Sequence, residues 1–313
     1  IEAVAQTGAD AIKFQTYTPD TITFTSDSEP FQVTKGTIWE GETLYQLYQR
    51  AYMPWEWHRE LRDLALSLDL EWFSAPFDHS AVDFLEDLGT SRYKIASFEM
   101  TDIPLIEYAA AKGKPMILST GIATATDIEQ AVNACRRMGN EDITVLQCTS
   151  SYPSPIEEAN IRMVPNLAET SSVKSGVSDH TPGSAVPVGA VALGAVMVEK
   201  HVILDRELGG PDAAFSMDPT EFAQMVEDVR NVEKAMGIVD YSLNYRKSTN
   251  RRFARSLFVV QDVKKGEVLT SDNVRSIRPS NGLSPKLLPR IIGKRAALDV
   301  QAGTPLEYGH VIW

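Results

Sequence analysis

Pro-Met-Ile-Leu-Ser-Thr-Gly (115–121) is an apolar run that ends abruptly in polar residues, and the stretch after it has the spacing of an amphipathic helix. A strand with no polar alternation is buried on both faces, as in a parallel sheet covered by helices. The same unit recurs in both directions. Downstream lie the runs 143–151, 173–180 and 195–203, and upstream 93–99, 70–77 and 9–17. Each is followed by a helical pattern of about 12–20 residues, in the manner of β/α units. Seven such runs predict a (β/α)8 TIM barrel one strand short of closure. Residues 1–7, stopped by Gly8, read as the last turns of a helix, so an upstream strand is expected before them.

The barrel pattern closes with a helix at 219–237, which sets a barrel domain at 1–237. A polar linker is expected at 238–250, and 251–313 has short strands and turns instead. Asp-Val-Lys-Lys-Gly-Glu-Val-Leu (262–269) is echoed there by Asp-Val-Gln-Ala-Gly-Thr-Pro-Leu (299–306). The glycine at the same place in both copies predicts one turn used twice. A module of about 60 residues is marginal alone and is expected to pack on a barrel.

Hydrophobic residues at 43% and charged residues at 23% exclude a disordered, collagen-like or coiled-coil chain of 313 residues. No apolar stretch is long enough to span a bilayer, and Cys135 and Cys148 cannot form a disulfide framework. A cytoplasmic enzyme is expected. The net charge of −12 divides unevenly: residues 251–313 hold 11 Lys and Arg against 5 Asp and Glu. Such a tail could meet nucleic acid, an acidic partner surface or an anionic substrate. No interleaved basic and aromatic stripe accompanies it, so neither nucleic acid nor membrane is expected as a partner.

Polar residues gather where the apolar runs end, and in a barrel they would ring one mouth. Lys13 and Lys94, in strands that should be buried, join Ser97 and Ser119-Thr-Gly121 as an anion-binding set. Structural salt bridges or a Schiff-base lysine are the alternatives. His180 and His201 end neighbouring strands, where two imidazoles could share manganese, iron, cobalt or zinc. The alternative is two partly buried histidines satisfied by hydrogen bonds. Asp179, Glu199 or Asp212 could orient them or supply a third ligand. His58, in Pro-Trp-Glu-Trp-His (54–58), reads as a surface residue at a helix start. The chain has no P-loop, dinucleotide fingerprint or nucleophile elbow.

Lys-Phe-Gln-Thr (13–16), Tyr-Lys-Ile-Ala-Ser-Phe-Glu (93–99), Ser-Thr-Gly (119–121), Cys-Thr-Ser-Ser-Tyr-Pro (148–153), Ser-Asp-His (178–180), Glu-Lys-His (199–201) and Arg-Pro-Ser-Asn-Gly (278–282) stand in order along nearly the whole chain. In these motifs the chain resembles the sialic acid synthase family, metal-dependent barrels followed by an antifreeze-like (SAF) domain. Tyr-Thr-Pro-Asp-Thr (17–21) and Phe-Ala-Arg-Ser-Leu (253–257) are most similar to its pseudaminic acid synthases. The resemblance implies condensation of phosphoenolpyruvate with an open-chain N-acetylated amino sugar. His180 and His201 would hold the metal, manganese first, with magnesium or cobalt as alternatives. Lys13, Lys94, Ser97, Ser119, Ser150 and Ser178 would bind phosphoenolpyruvate, with Gln15, Glu99, Tyr152 and Asp212 facing the sugar. Glu99 would transfer a proton, and Lys94, beside Glu99 and the two histidines, belongs with the catalytic set. The family also implies a domain-swapped homodimer in which Arg278 contacts the partner's sugar. Ala75 replaces a hydroxyl residue often found there, so a phosphate contact at that point must come from the backbone or Ser74. Legionaminate and N-acetylneuraminate synthases share the machinery, and a non-catalytic carbohydrate-binding protein or a Schiff-base aldolase are the rivals of other classes.

Overall fold

A computed structural model describes residues 1–33, 40–151 and 154–313, which divide into two compact units, 1–237 and 238–313. In the first, seven strands form one parallel sheet in sequential order: β1 Ala11–Thr16, β2 Glu71–Pro76, β3 Tyr93–Ile95, β4 Met116–Ser119, β5 Ile143–Cys148, β6 Lys174–Asp179 and β7 Val198–Lys200. The helices between them start where a side chain caps them. Asp78 accepts from the Ser80 and Ala81 amides, Thr124 and Asp127 make a capping box, and Asp218 does the same with Glu221. Each cap satisfies amide groups that would otherwise be orphaned as the chain leaves the sheet.

Alternation along the strands sorts their side chains into two cores. Trp72, Tyr93, Ile95, Met116, Leu118, Ile143 and Val145 pack outward against the helix layer. Phe73, Ile117 and Leu146, with Ala11 and Met197, pack together on the other face. That second cluster draws on strands far apart in the sheet order, so the sheet curls around it as in a (β/α) barrel. Among the described residues β1 and β7 remain the two edges. A cavity of about 580 Å³ lies beside both, lined by Lys13, Gln15, Glu199, His201 and the helix Pro219–Met236.

The second unit has two antiparallel ribbons, β8 Ser256–Val259 with β9 Val274–Ile277, and β10 Arg295–Ala296 with β11 Val311–Ile312. The repeat read in the sequence has a structural counterpart. Val263 and Val300 exchange both backbone hydrogen bonds at 2.9 Å. Asp262 accepts from the Ala302 amide at 2.7 Å, and Asp299 accepts from the Lys265 amide at 2.8 Å. The two copies therefore clamp each other about a local twofold. Gly266 and Gly303 adopt φ of +83° and +88°, the conformation for which glycine is needed. The polar stretch expected as a linker holds a short helix, Tyr245–Arg251, capped by the Asn244 side chain on the Lys247 amide. Arg278 lies in this second unit, immediately after β9.

Candidate active site

Because the strands of the first unit are parallel, their C-terminal ends share one edge, and the polar residues singled out from the sequence fall there into three groups. The first is an ion cluster. Lys13 on β1 and Lys94 on β3 both reach Glu199 on β7, at 3.1 and 3.4 Å. Lys94 donates to the Ser119 hydroxyl at 2.6 Å, and Ser178, directly opposite Glu199 in the β6–β7 register, donates to it at 3.0 Å. Contact between β3 and β7, four strands apart, requires the sheet to wrap. Burial pushes the Lys94 ammonium below its usual range, with Glu199 opposing. Burial alone would raise the Glu199 carboxyl, but Lys13 and Lys94 outweigh it and hold that group well below the ordinary carboxylate range. Two cations against one anion leave a positive site, as an anionic substrate requires.

The second group lies at the ends of β3 to β5. The Gly121 amide donates to the Ser97 hydroxyl at 3.1 Å. A Cβ at Gly121 would stand 2.1 Å from the Ser150 hydroxyl and 2.7 Å from that of Ser97, so only glycine lets the three converge. The Ser150 Oγ is buried without a hydrogen-bond partner, as is Oε2 of Glu99. Buried orphans of this kind are costly, and a bound ligand or water would complete their bonding. Burial raises the Glu99 carboxyl from 4.5 to about 7. Gly121→Ala should therefore displace both serines and, if the turn holds an anion, weaken binding of inorganic phosphate by about 10- to 100-fold, read by calorimetric titration. Unchanged affinity would remove this turn from the binding site.

The third group is the histidine pair, whose ring centroids are 5.2 Å apart. His180 Nδ1 lies 2.8 Å from the Thr149 carbonyl, which can only accept, so this nitrogen carries the proton. Burial and the neighbouring His201 lower the His180 pKa to about 4, so the ring is neutral and Nε2 presents a lone pair. His201 Nδ1 stands 3.3 Å from Asp212. Imidazoles whose Nδ1 atoms face a carbonyl and a carboxylate have the donor chemistry of a metal-ligating pair. Among the described residues no third His, Cys, Asp or Glu joins them in a cluster.

The three carboxylates weighed as orienters thus separate: Asp212 faces His201, Glu199 faces the lysines, and Asp179 pairs with Lys200. Gln15 lines the cavity with Lys13, Glu199, His201 and Asp212. Tyr152 lies outside the described residues. His58 is fully buried rather than on the surface, with Nε2 at 2.8 Å from Thr16 Oγ1, which is itself 2.7 Å from Ser74 Oγ. Ser74 is thereby engaged inside the protein and fully buried. Trp55 stacks on Phe84 and anchors the turn that buries His58. The Thr149 carbonyl leaves no trace in the sequence, because a backbone acceptor is not marked by residue type.

The NeuB family model matches residues 1–241, and the SAF domain model matches 254–312. The chain belongs to the NeuB family. Pseudaminic acid synthase of Helicobacter pylori is 49% identical over 308 residues, covering 98% of this chain and 90% of its own. N,N'-diacetyllegionaminic acid synthase of Legionella pneumophila is 33% identical, covering 99% and 88%. Among solved structures, the spore coat polysaccharide biosynthesis protein spsE of Bacillus subtilis superposes with a TM-score of 0.64 at 31% identity, covering 100% of this chain and 89% of that one. With this membership, the seven parallel strands and the small second unit are the barrel and the SAF domain expected from the sequence motifs.

Proposed function

We propose that this NeuB-family chain is a transferase that condenses phosphoenolpyruvate with 2,4-diacetamido-2,4,6-trideoxy-L-altrose, giving pseudaminate and phosphate. The observation that carries the reading is the cluster of Lys13, Lys94 and Ser119 around Glu199, set beside the His180–His201 pair at one sheet edge. The choice of sugar is supported by the greater likeness to pseudaminic than to legionaminic acid synthases. Lys13 and Lys94, with Ser97, Ser119, Ser150 and Ser178, bind the phosphate and carboxylate and fix the enol carbon for attack. Glu99, protonated by burial, gives its proton to the aldehyde oxygen as the carbon–carbon bond forms. Water then adds at the phosphate-bearing carbon, one of its protons returning to the Glu99 carboxylate and the other leaving with the departing phosphate as the C–O bond to phosphate breaks, and the 2-keto acid remains. Gln15, Tyr152 and Asp212 face the sugar. A divalent cation held by His180 and His201, manganese first and magnesium or cobalt next, would supply Lewis-acid polarisation of the aldehyde.

The same reading places the reaction in the cytoplasm, and no helix among the described residues is long and apolar enough to cross a membrane. It also gives Arg278 a sugar contact in a swapped homodimer, supported by the basic surplus of residues 251–313 against an acidic remainder. The test is phosphate release from phosphoenolpyruvate, with Mn²⁺ or chelator, offering the altrose sugar, its legionaminate counterpart and N-acetylmannosamine in turn. Metal-dependent release with the altrose sugar alone is expected. Release with another sugar would overturn the substrate and keep the mechanism, and release from none would overturn the enzyme.

A further inference from the structure

Alternation along β6 and β7 turns Ser178, Glu199 and the two histidines one way and Asp179 and Lys200 the other. The interior cluster beneath the site includes Met197, whereas Val177 and Val198 pack outward with helix residues Val186 and Ala190. Asp179 and Lys200 therefore lie behind the histidines, on the helix side of the sheet. They are direct partners in the β6–β7 register, and their side chains are only 2% and 1% exposed. The Lys200 ammonium donates to Asp179 Oδ2 and to the Thr181 carbonyl. The Thr181 amide in turn donates to Asp179 Oδ1 at 2.9 Å. One lysine thus ties residues 179 and 181, on either side of His180, to residue 200, the neighbour of His201.

A buried ion pair is costly to desolvate, and well-packed apolar side chains hold two strands together at least as well. What apolar packing does not give is directional fixing of the backbone around a particular residue. We propose that Lys200 and Asp179 are positioning residues whose buried pair fixes the β6 and β7 ends so that the His180 and His201 rings converge. The inference rests on the reading of those histidines as a cation-binding pair.

The test uses the full chain with Lys200→Met/Asp179→Asn, which removes both charges and keeps an oxygen for the Thr181 amide. Three quantities are read: Mn²⁺ affinity by calorimetry, the imidazole ¹⁵N signals of histidine-labelled protein, and phosphoenolpyruvate affinity without metal. Mn²⁺ affinity should fall by about 10- to 100-fold, the usual effect of losing a group that orients a ligand. The His180 and His201 signals should move, while phosphoenolpyruvate affinity and the melting temperature hold. Mn²⁺ affinity within about twofold and unmoved imidazole signals would show that the pair is packing alone, since ligand orienters ordinarily count for more. Should the double variant not fold, Lys200→Arg, which keeps the charges but alters their reach, is read by the same criteria. A His180→Ala/His201→Ala control separates the two readings. If it binds Mn²⁺ as the parent does, the metal reading fails, and the imidazole signals of the Lys200 variant then decide the positioning role.

Discussion

Lys94→Met should weaken phosphoenolpyruvate binding by about 10- to 100-fold while leaving the melting temperature unchanged or higher. A hydrogen bond to a charged group contributes about 1.5–3 kcal/mol, and each 1.4 kcal/mol is about tenfold in affinity. Lys94 is 2% exposed, and burial already works against its charge. Methionine fills nearly the same space without that penalty. Removing one member of a buried pair usually strands the other, but Glu199 keeps Lys13 at 3.1 Å and the Ser178 hydroxyl at 3.0 Å. The cluster passes from two cations around one anion to a balanced pair. The fold tolerates that, and the substrate anion does not. Calorimetric titration and thermal melting check both halves; a destabilised protein with intact affinity would make Lys94 structural and sink its role in binding.

The fold was legible where burial writes itself into composition. β4 and β5 are buried along their whole length, which is why residues 115–121 and 143–151 carry no polar alternation. The strand ends carry a weaker signal. Residues 93–99 look like one strand, but pairing stops at Ile95 and Ser97–Glu99 forms a 3-10 turn. That turn carries the chain off the sheet, and it is also what brings Ser97 to the Gly121 amide. The lysines and histidines of the site were visible because such residues are rare in buried strands. Their partners were not. Which carboxylate serves which cation depends on strand register and on curling across β3 and β7, and neither is local in sequence. His58 went unseen for a different reason. Its neighbours Trp55, Glu56 and Trp57 suggest an exposed helix start, and Trp57 is indeed 55% exposed, but the turn rotates the histidine inward onto Thr16.

Glu99→Gln should lower kcat by about 10²- to 10⁴-fold and abolish a pH inflection close to 7 in the parent enzyme. The carboxyl is raised from 4.5 to about 7 chiefly by burial, with its own backbone amide and Lys94 opposing and Asp102 adding to the rise. As a proton donor it is competent while protonated, so kcat/KM in the parent should fall as pH rises through about 7. Stability follows the same titration. The folded state holds this proton more tightly than the unfolded chain, so between pH 4.5 and about 7 folding takes up a proton and stability declines as pH rises. Above that window the buried carboxylate costs the fold about 3 kcal/mol, a charge penalty that glutamine never meets. Glu99→Gln should thus be slower than the parent at every pH yet more resistant to urea at pH 8, with the advantage shrinking toward pH 5. Urea unfolding at the two pH values and a kcat/KM profile measure this directly. A variant that keeps the inflection would assign the titration to another group, and one with no gain in stability at pH 8 would show that Glu99 is solvated. The coupling has a physical reason: the burial that leaves Oε2 without a partner is also what raises the Glu99 carboxyl to about 7.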